Sequence, residues 1–153
     1  MSSYHHINSF IKVSSACPVT NVADVSFNVK NILSCIDSAL EENSKFIVFP
    51  ELCVTSYTCA DLFLQDQLLN KSEEGLEKIC EYSKEKDILI AVGAPLYYKS
   101  CLYNCAYIIF KGEILGIVPK SYIPNYSEFY EKRWFTQGLG VISEKVNLFF
   151  QDN

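Results

Sequence analysis

The chain has 153 residues, the size of one domain, and 49% of them are hydrophobic, which is enough for one sizeable core. Thirteen basic residues stand against eighteen acidic ones, a net charge of −5 that argues against a sequence-independent nucleic-acid binder. With only 6 glycines and 5 prolines beside 10 phenylalanines and 10 tyrosines, the composition excludes a collagen-like or disordered chain.

Phe10–Val13 reads as a strand, and Pro18 and Asn21 place a loop after it. From Val22 to Leu40 the apolar residues Val22, Val25, Val29, Ile32, Ile36 and Leu40 recur every three or four positions, the stripe of an amphipathic helix. Asn43 and Ser44 end it. Lys45–Phe49 is a short continuous apolar run, as expected of a strand covered on both faces, and Pro50-Glu51 terminates it. Residues 61–70, with Leu62, Phe63, Leu68 and Leu69, read as a short helix. Residues 72–86 read as a second one, with Leu76, Ile79, Cys80 and Ser83 facing inward. Ile88–Pro95 is a further buried strand. Cys101–Phe110 and Glu113–Val118 flank Lys111-Gly112, the spacing of a hairpin. A polar, aromatic loop follows over Ser121–Phe135, and Val141–Phe150 is apolar again. The order strand, helix, strand, helix, strand, strand, strand predicts an α/β fold with helices packed on a largely buried sheet.

No apolar run approaches the roughly 18–20 residues that span a bilayer, so no membrane partner is expected. Met1–His6 has neither a basic nor a long apolar region, so no signal peptide is expected either. Seven cysteines, an odd number, fit no disulfide framework and read as reduced, buried thiols in the cytoplasm. The pairs Cys53/Cys59 and Cys101/Cys105 lack the C-x₂-C spacing of zinc sites, and the two histidines, His5 and His6, lie near the terminus. No metal is expected.

Two charges are placed where chemistry could occur. Glu51 follows Pro50 at the carboxyl end of a buried strand, and Lys120 follows Pro119 at the end of another. Ligands of α/β sheets bind outside the carboxyl ends of strands. A carboxylate there could act as a general base, and an ammonium could stabilise an oxyanion. By pattern alone the favoured reading is that both are solvated loop charges, since many charged residues end strands. The aromatic density of residues 122–135 could suggest base stacking, but Glu128, Glu131 and the negative net charge argue against it.

The letters around these charges carry more. Phe49-Pro50-Glu51-Leu52 resembles the signature of the nitrilase, or carbon–nitrogen hydrolase, superfamily. Thr55-Ser56-Tyr57-Thr58-Cys59-Ala60-Asp61-Leu62-Phe63 and Pro119-Lys120-Ser121-Tyr122-Ile123-Pro124-Asn125-Tyr126-Ser127-Glu128-Phe129-Tyr130-Glu131 are more specific. They resemble the amino-terminal glutaminase domain of glutamine-dependent NAD synthetases. The resemblance implies a four-layer αββα sandwich and a Glu–Lys–Cys triad without metal. It puts the base on Glu51, the triad lysine on Lys120 and a supporting glutamate on Glu128. It makes Tyr126 a contact of the glutamine substrate, with Tyr57 and Phe129 lining the pocket.

The chain departs from that family in one respect. The family's nucleophilic cysteine follows the lysine, and no cysteine follows Cys105 here. The expectation is therefore that residues 1–153 form the amino-terminal half of a carbon–nitrogen hydrolase domain, inactive alone. The synthetase domain that would use ATP and Mg²⁺ is not among these residues, and none of the six glycines makes a phosphate-cradling loop. Half a sandwich would leave apolar strand surface uncovered, which predicts a homo-oligomer. The alternative is a degenerate nitrilase-like module that binds a partner or an amide-like ligand.

Overall fold

The computed structural model describes residues 10–138 together with Val146 and Leu148. Five strands form one mixed sheet in the order β1-β2-β3-β4-β5. They are β1 (Val13–Ser15), β2 (Phe46–Val48), β3 (Leu89–Tyr98), β4 (Cys101–Phe110) and β5 (Glu113–Pro119). β1, β2 and β3 run parallel, while β3, β4 and β5 are antiparallel neighbours. Two helices, α1 (Val25–Glu41) and α2 (Asp66–Ser83), connect the parallel strands. This is the expected α/β order of elements.

The helices bury one face of the sheet. Ile47, Ile90 and Ile109 lie side by side across β2, β3 and β4, and all are essentially inaccessible. Val25, Val29, Ile32 and Ile36 of α1 and Leu76 and Ile79 of α2 complete this core. The side chain of Asp24 starts α1 by accepting the Phe27 N–H at 3.1 Å, which satisfies one of the helix's orphan donors. The predicted inner face of α2 is the observed one, since Leu76, Ile79, Cys80 and Ser83 are all buried.

Several boundaries move. β1 is Val13–Ser15 rather than Phe10–Val13, because pairing with Phe46–Val48 sets it, and Phe10 and Ile11 are exposed. α1 begins after the exposed Val22, at the Asp24 cap. The two segments predicted over 61–86 regroup as a 3₁₀ turn, Ala60–Leu64, and one long helix. The break falls at Gln65, whose backbone is extended, and nothing interrupts the helix near residue 71. β2 is covered on one face only: Ile47 is buried, but Val48 is 41% exposed. Of the cysteines, 53, 59, 80 and 105 are buried, whereas Cys17 is exposed and Cys35 and Cys101 are half-buried; all seven are free thiols.

The hairpin at Lys111-Gly112 is present, with φ of 48° and 89°. Both residues are left-handed, as a two-residue turn between twisted strands requires. A second such turn, Lys99-Ser100, joins β3 to β4 with φ of 48° and 61°. No helix among the described residues is long and apolar enough to cross a membrane. His5, His6 and most of the apolar stretch 141–150 lie outside the described residues.

Candidate active site

The open face of the sheet carries a groove of about 490 Å³. Its floor is made of small and apolar side chains, among them Val48, Ala91, Ala106 and Val118. Glu51, Asn104 and Lys120 gather at one end.

Glu51 sits in a tight turn after β2 that is pinned from below. The Val54 N–H donates to the Gly93 carbonyl of β3 at 3.2 Å, and the Asn28 side chain of α1 donates to the Val54 carbonyl at 3.1 Å. Gly93 is required for this approach. A Cβ there would lie 2.8 Å from the Pro50 carbonyl oxygen and 3.0 Å from the Glu51 carbonyl carbon. The turn also holds Leu52 at φ 52°, a conformation that costs a residue with a side chain about 1–2 kcal/mol. Leu52 is completely buried, and burying a leucine returns about 1.5–3 kcal/mol, so the strain is offset.

Lys120 leaves the end of β5 with its N–H on the Asn104 carbonyl at 2.8 Å. Its ammonium reaches Glu51 Oε1 at 2.5 Å and the two Glu131 oxygens at 3.0 and 3.1 Å. Burial alone would lower the Lys120 ammonium. The hydrogen bonds and charges of Glu51 and Glu131 outweigh it, and the net shift is upward. Lys120 is thereby held as a cation at neutral pH. The Tyr57 hydroxyl donates to Glu131 Oε1, and the Asn104 carboxamide donates to Glu51 Oε1. Burial and then the Glu131 carboxylate push the Tyr57 phenol well above its ordinary value, so it remains a donor.

The structure brings Glu51, Lys120 and Tyr57 into one network. The second carboxylate that touches Lys120 is Glu131, three residues beyond the glutamate singled out from the sequence. Glu128 is exposed, whereas Glu131, in the 3₁₀ turn Glu131–Arg133, is buried against Lys120. Chain geometry is the reason: Glu131 begins a turn whose N–H groups fold back on it, Phe135 N–H reaching its carbonyl at 2.8 Å. Tyr126 is largely exposed and meets Phe129 edge to face at 5.8 Å, away from the groove lining. Asn104 escaped the sequence reading altogether. The signal for it was a lone carboxamide in the middle of the apolar strand Cys101–Phe110.

Arg133 and Trp134 clamp this loop to the first 3₁₀ turn. Asp61 accepts Arg133 Nε at 2.7 Å, Arg133 Nη2 at 2.9 Å and the Trp134 indole N–H at 2.8 Å. Cys53 and Cys105, the thiols nearest Glu51 and Asn104 in sequence, are both pushed up to about 12 by burial, and neither is a ready nucleophile.

Comparison with known proteins shows the family. A family described as carbon-nitrogen hydrolase matches residues 12–148. The glutamine-dependent NAD(+) synthetase of Mycobacterium tuberculosis is 36% identical over 139 residues, which is 91% of this chain and 20% of that protein. The Aquifex aeolicus glutamine-dependent NAD(+) synthetase is 40% identical over 126 residues, covering 82% of this chain and 22% of the relative. The chain thus spans about a fifth of the length of the curated relatives it matches. The crystal structure of a glutamine-dependent NAD(+) synthetase from Cytophaga hutchinsonii superimposes with a TM-score of 0.79 at 34% identity, over 83% of this chain and 22% of that one.

Proposed function

Because the chain belongs to the carbon–nitrogen hydrolase family, we propose that it is part of a glutaminase site that releases ammonia from the side-chain amide of glutamine. The observation that carries this reading is the Lys120 ammonium, held between Glu51 and Glu131 at the end of the groove. The names of the relatives support glutamine as the donor and NAD synthesis as the use of the ammonia. ATP and Mg²⁺ belong to that later step, and no step here runs through them.

A carboxamide is a poor electrophile, so the reaction needs a nucleophile, a base and an oxyanion partner. Glu51 takes the proton of an attacking thiol and later delivers it to departing ammonia. Lys120, kept charged, stabilises the oxygen of the tetrahedral intermediate. Glu131 and Tyr57 hold Lys120 in place. Tyr126 and Phe129 are proposed to meet the glutamine when it binds, and Glu128 to serve at the surface beside them. The thiol is proposed to come from outside residues 1–153, which form the amino-terminal half of the domain. The proposed compartment is the cytoplasm, on the ground that all seven cysteines are free.

The test is a graft. Residues 12–148 replace the matching segment of the Aquifex aeolicus synthetase, and ammonia release from glutamine is measured. The graft is expected to be active and the 153-residue chain alone inactive. Glu51→Gln is expected to lower kcat by about 10²–10⁴-fold, the usual worth of a general base. A graft that keeps its rate with Glu51→Gln refutes the assignment.

A second reading, in which the chain binds a partner or another copy of itself, is favoured by the exposed Val13, Val48, Leu115 and Val118. Light scattering on the purified chain decides it: a monomer at all concentrations removes self-association.

A further inference from the structure

We infer that Asn104 is a positioning residue of this site: its carboxamide, together with Lys120, occupies Oε1 of Glu51 and leaves Oε2 as the oxygen that takes the proton. The hydrogen bonds stand on the geometry alone; the proton's destination rests on the glutaminase reading.

Asn104 is 3% exposed in the middle of a strand whose other buried side chains are apolar or aromatic. A buried carboxamide costs free energy unless it is hydrogen-bonded, so its position needs a reason. Its place in the sheet supplies one. Asn104 lies opposite Pro95 and one step beyond Ala106, which faces the groove opposite Gly93. Its neighbour Cys105 turns the other way, into the core. The carboxamide orientation follows from chemistry. The Glu51 carboxylate accepts only, so the NH₂ group must face it.

The same residue also holds the other partner, because its backbone carbonyl receives the Lys120 N–H at 2.8 Å. One position on β4 therefore fixes both the acid-base carboxylate and the lysine. Glu51 needs such a hold. Its side chain is 39% exposed, and a half-exposed glutamate otherwise samples several rotamers. Among the described residues both donors to Glu51, Lys120 and Asn104, fall on Oε1. The lone pairs of Oε2 remain for the thiol proton.

The experiment uses the labelled 153-residue chain and reads two NMR signals. The first is a scalar coupling through the hydrogen bond between Asn104 Nδ2 and the Glu51 carboxyl carbon, expected in the unsubstituted chain. The second is the titration of the Lys120 Cε signal, which reports Lys120 among the groups facing it, namely Glu51, Glu131 and Tyr57. Asn104→Ala is expected to shift that titration downward, because an unanchored Glu51 swings away from the ammonium. In a Glu51→Gln background Asn104→Ala is expected to add nothing, the signature of action through Glu51. Absence of the coupling, or a Lys120 titration unmoved by Asn104→Ala, overturns the proposal; if that variant fails to fold, the coupling in the unsubstituted chain decides. In the Aquifex graft, Asn104→Ala is expected to lower kcat about tenfold with KM nearly unchanged, the worth of one hydrogen bond near 1.4 kcal/mol. An inactive graft refutes the glutaminase reading and leaves the NMR result intact. An active graft indifferent to Asn104→Ala refutes the positioning role.

Discussion

Glu131→Gln tests whether the buried glutamate, rather than Glu128, supports the lysine. The Glu131 side chain is 4% exposed and accepts from Lys120 at 3.0 and 3.1 Å and from the Tyr57 hydroxyl. Glutamine keeps the volume but loses the charge, and turns an NH₂ group toward an ammonium or a phenol. Breaking a buried ion pair from one side costs about 3–5 kcal/mol, but Lys120 is 27% exposed and keeps Glu51. The expected loss is therefore about 2–3 kcal/mol, close to the worth of a charge-assisted hydrogen bond. Glu128→Gln, on an exposed side chain, is expected to stay within about 0.5 kcal/mol. Urea unfolding followed by circular dichroism measures both. The pH dependence adds a second check. The Lys120 pKa is raised on folding, so its contribution is fully present below the unfolded lysine value of about 10.4 and is lost as pH rises through the higher folded value. The gap between wild type and Glu131→Gln is expected to hold through neutral pH and to close in strong alkali. Equal stability of the two variants, or a larger loss from Glu128→Gln, would refute the reasoning.

Three further outcomes follow from the same geometry. Gly93→Ala places a Cβ against the backbone of Pro50 and Glu51, neither of which can yield as a side-chain tip can, so it is expected to cost about 1–3 kcal/mol in thermal or urea unfolding. Asp61 is held well below the usual carboxylate range by Arg133 and by the Trp134 indole. Its contribution is present above the unfolded value of about 3.9 and is lost only as pH falls through the lower folded one, so Trp134 fluorescence is expected to stay constant down to about pH 4 and to change below it. Asp61→Asn is expected to produce such a change already at neutral pH. Thiol titration with an aromatic disulfide reagent is expected to modify the exposed Cys17 at once, and Cys53, Cys80 and Cys105, all pushed up to about 12 by burial, only in denaturant.

The sequence made the order of elements legible because each carries a strong local signal. The three-four spacing of Val25, Val29, Ile32 and Ile36 marks α1, and Lys111-Gly112 marks its hairpin. The Lys99-Ser100 turn was not legible, since neither residue favours φ > 0 and the strands on either side impose it. β1 was misplaced because apolarity at Phe10–Val13 is a weaker constraint than pairing with β2. Glu51 and Lys120 stand after strand-ending prolines, but it was the motifs around them that singled them out, since the placement alone fits solvated charges. The resemblance pointed to Glu128, whereas the glutamate that meets Lys120 is Glu131; both lie in an irregular loop where no periodicity says which one turns inward. Asn104 differs: its one mark is a lone carboxamide inside an apolar strand, and that mark does not say which group the carboxamide meets.

The strand order explains why the site needs more than its two obvious charges. Glu51 follows β2 and Lys120 ends β5, with β3 and β4 between them. Three inter-strand spacings separate the two strands by roughly 14 Å. The gap is bridged because the turn after Pro50 crosses over β3, and it can do so only where β3 presents Gly93. β4 then supplies Asn104, whose side chain meets the incoming carboxylate while its carbonyl receives the Lys120 N–H. Each of the four strands β2 to β5 thus contributes one element: the carboxylate, the clearance, the anchor and the cation. A substitution at Gly93 is accordingly expected to act on the Glu51–Lys120 ion pair as well as on stability. The check is the Lys120 titration in Gly93→Ala, which should move downward as it does in Asn104→Ala. A destabilised chain with an unmoved Lys120 would mean that the turn reaches across β3 without help from the glycine.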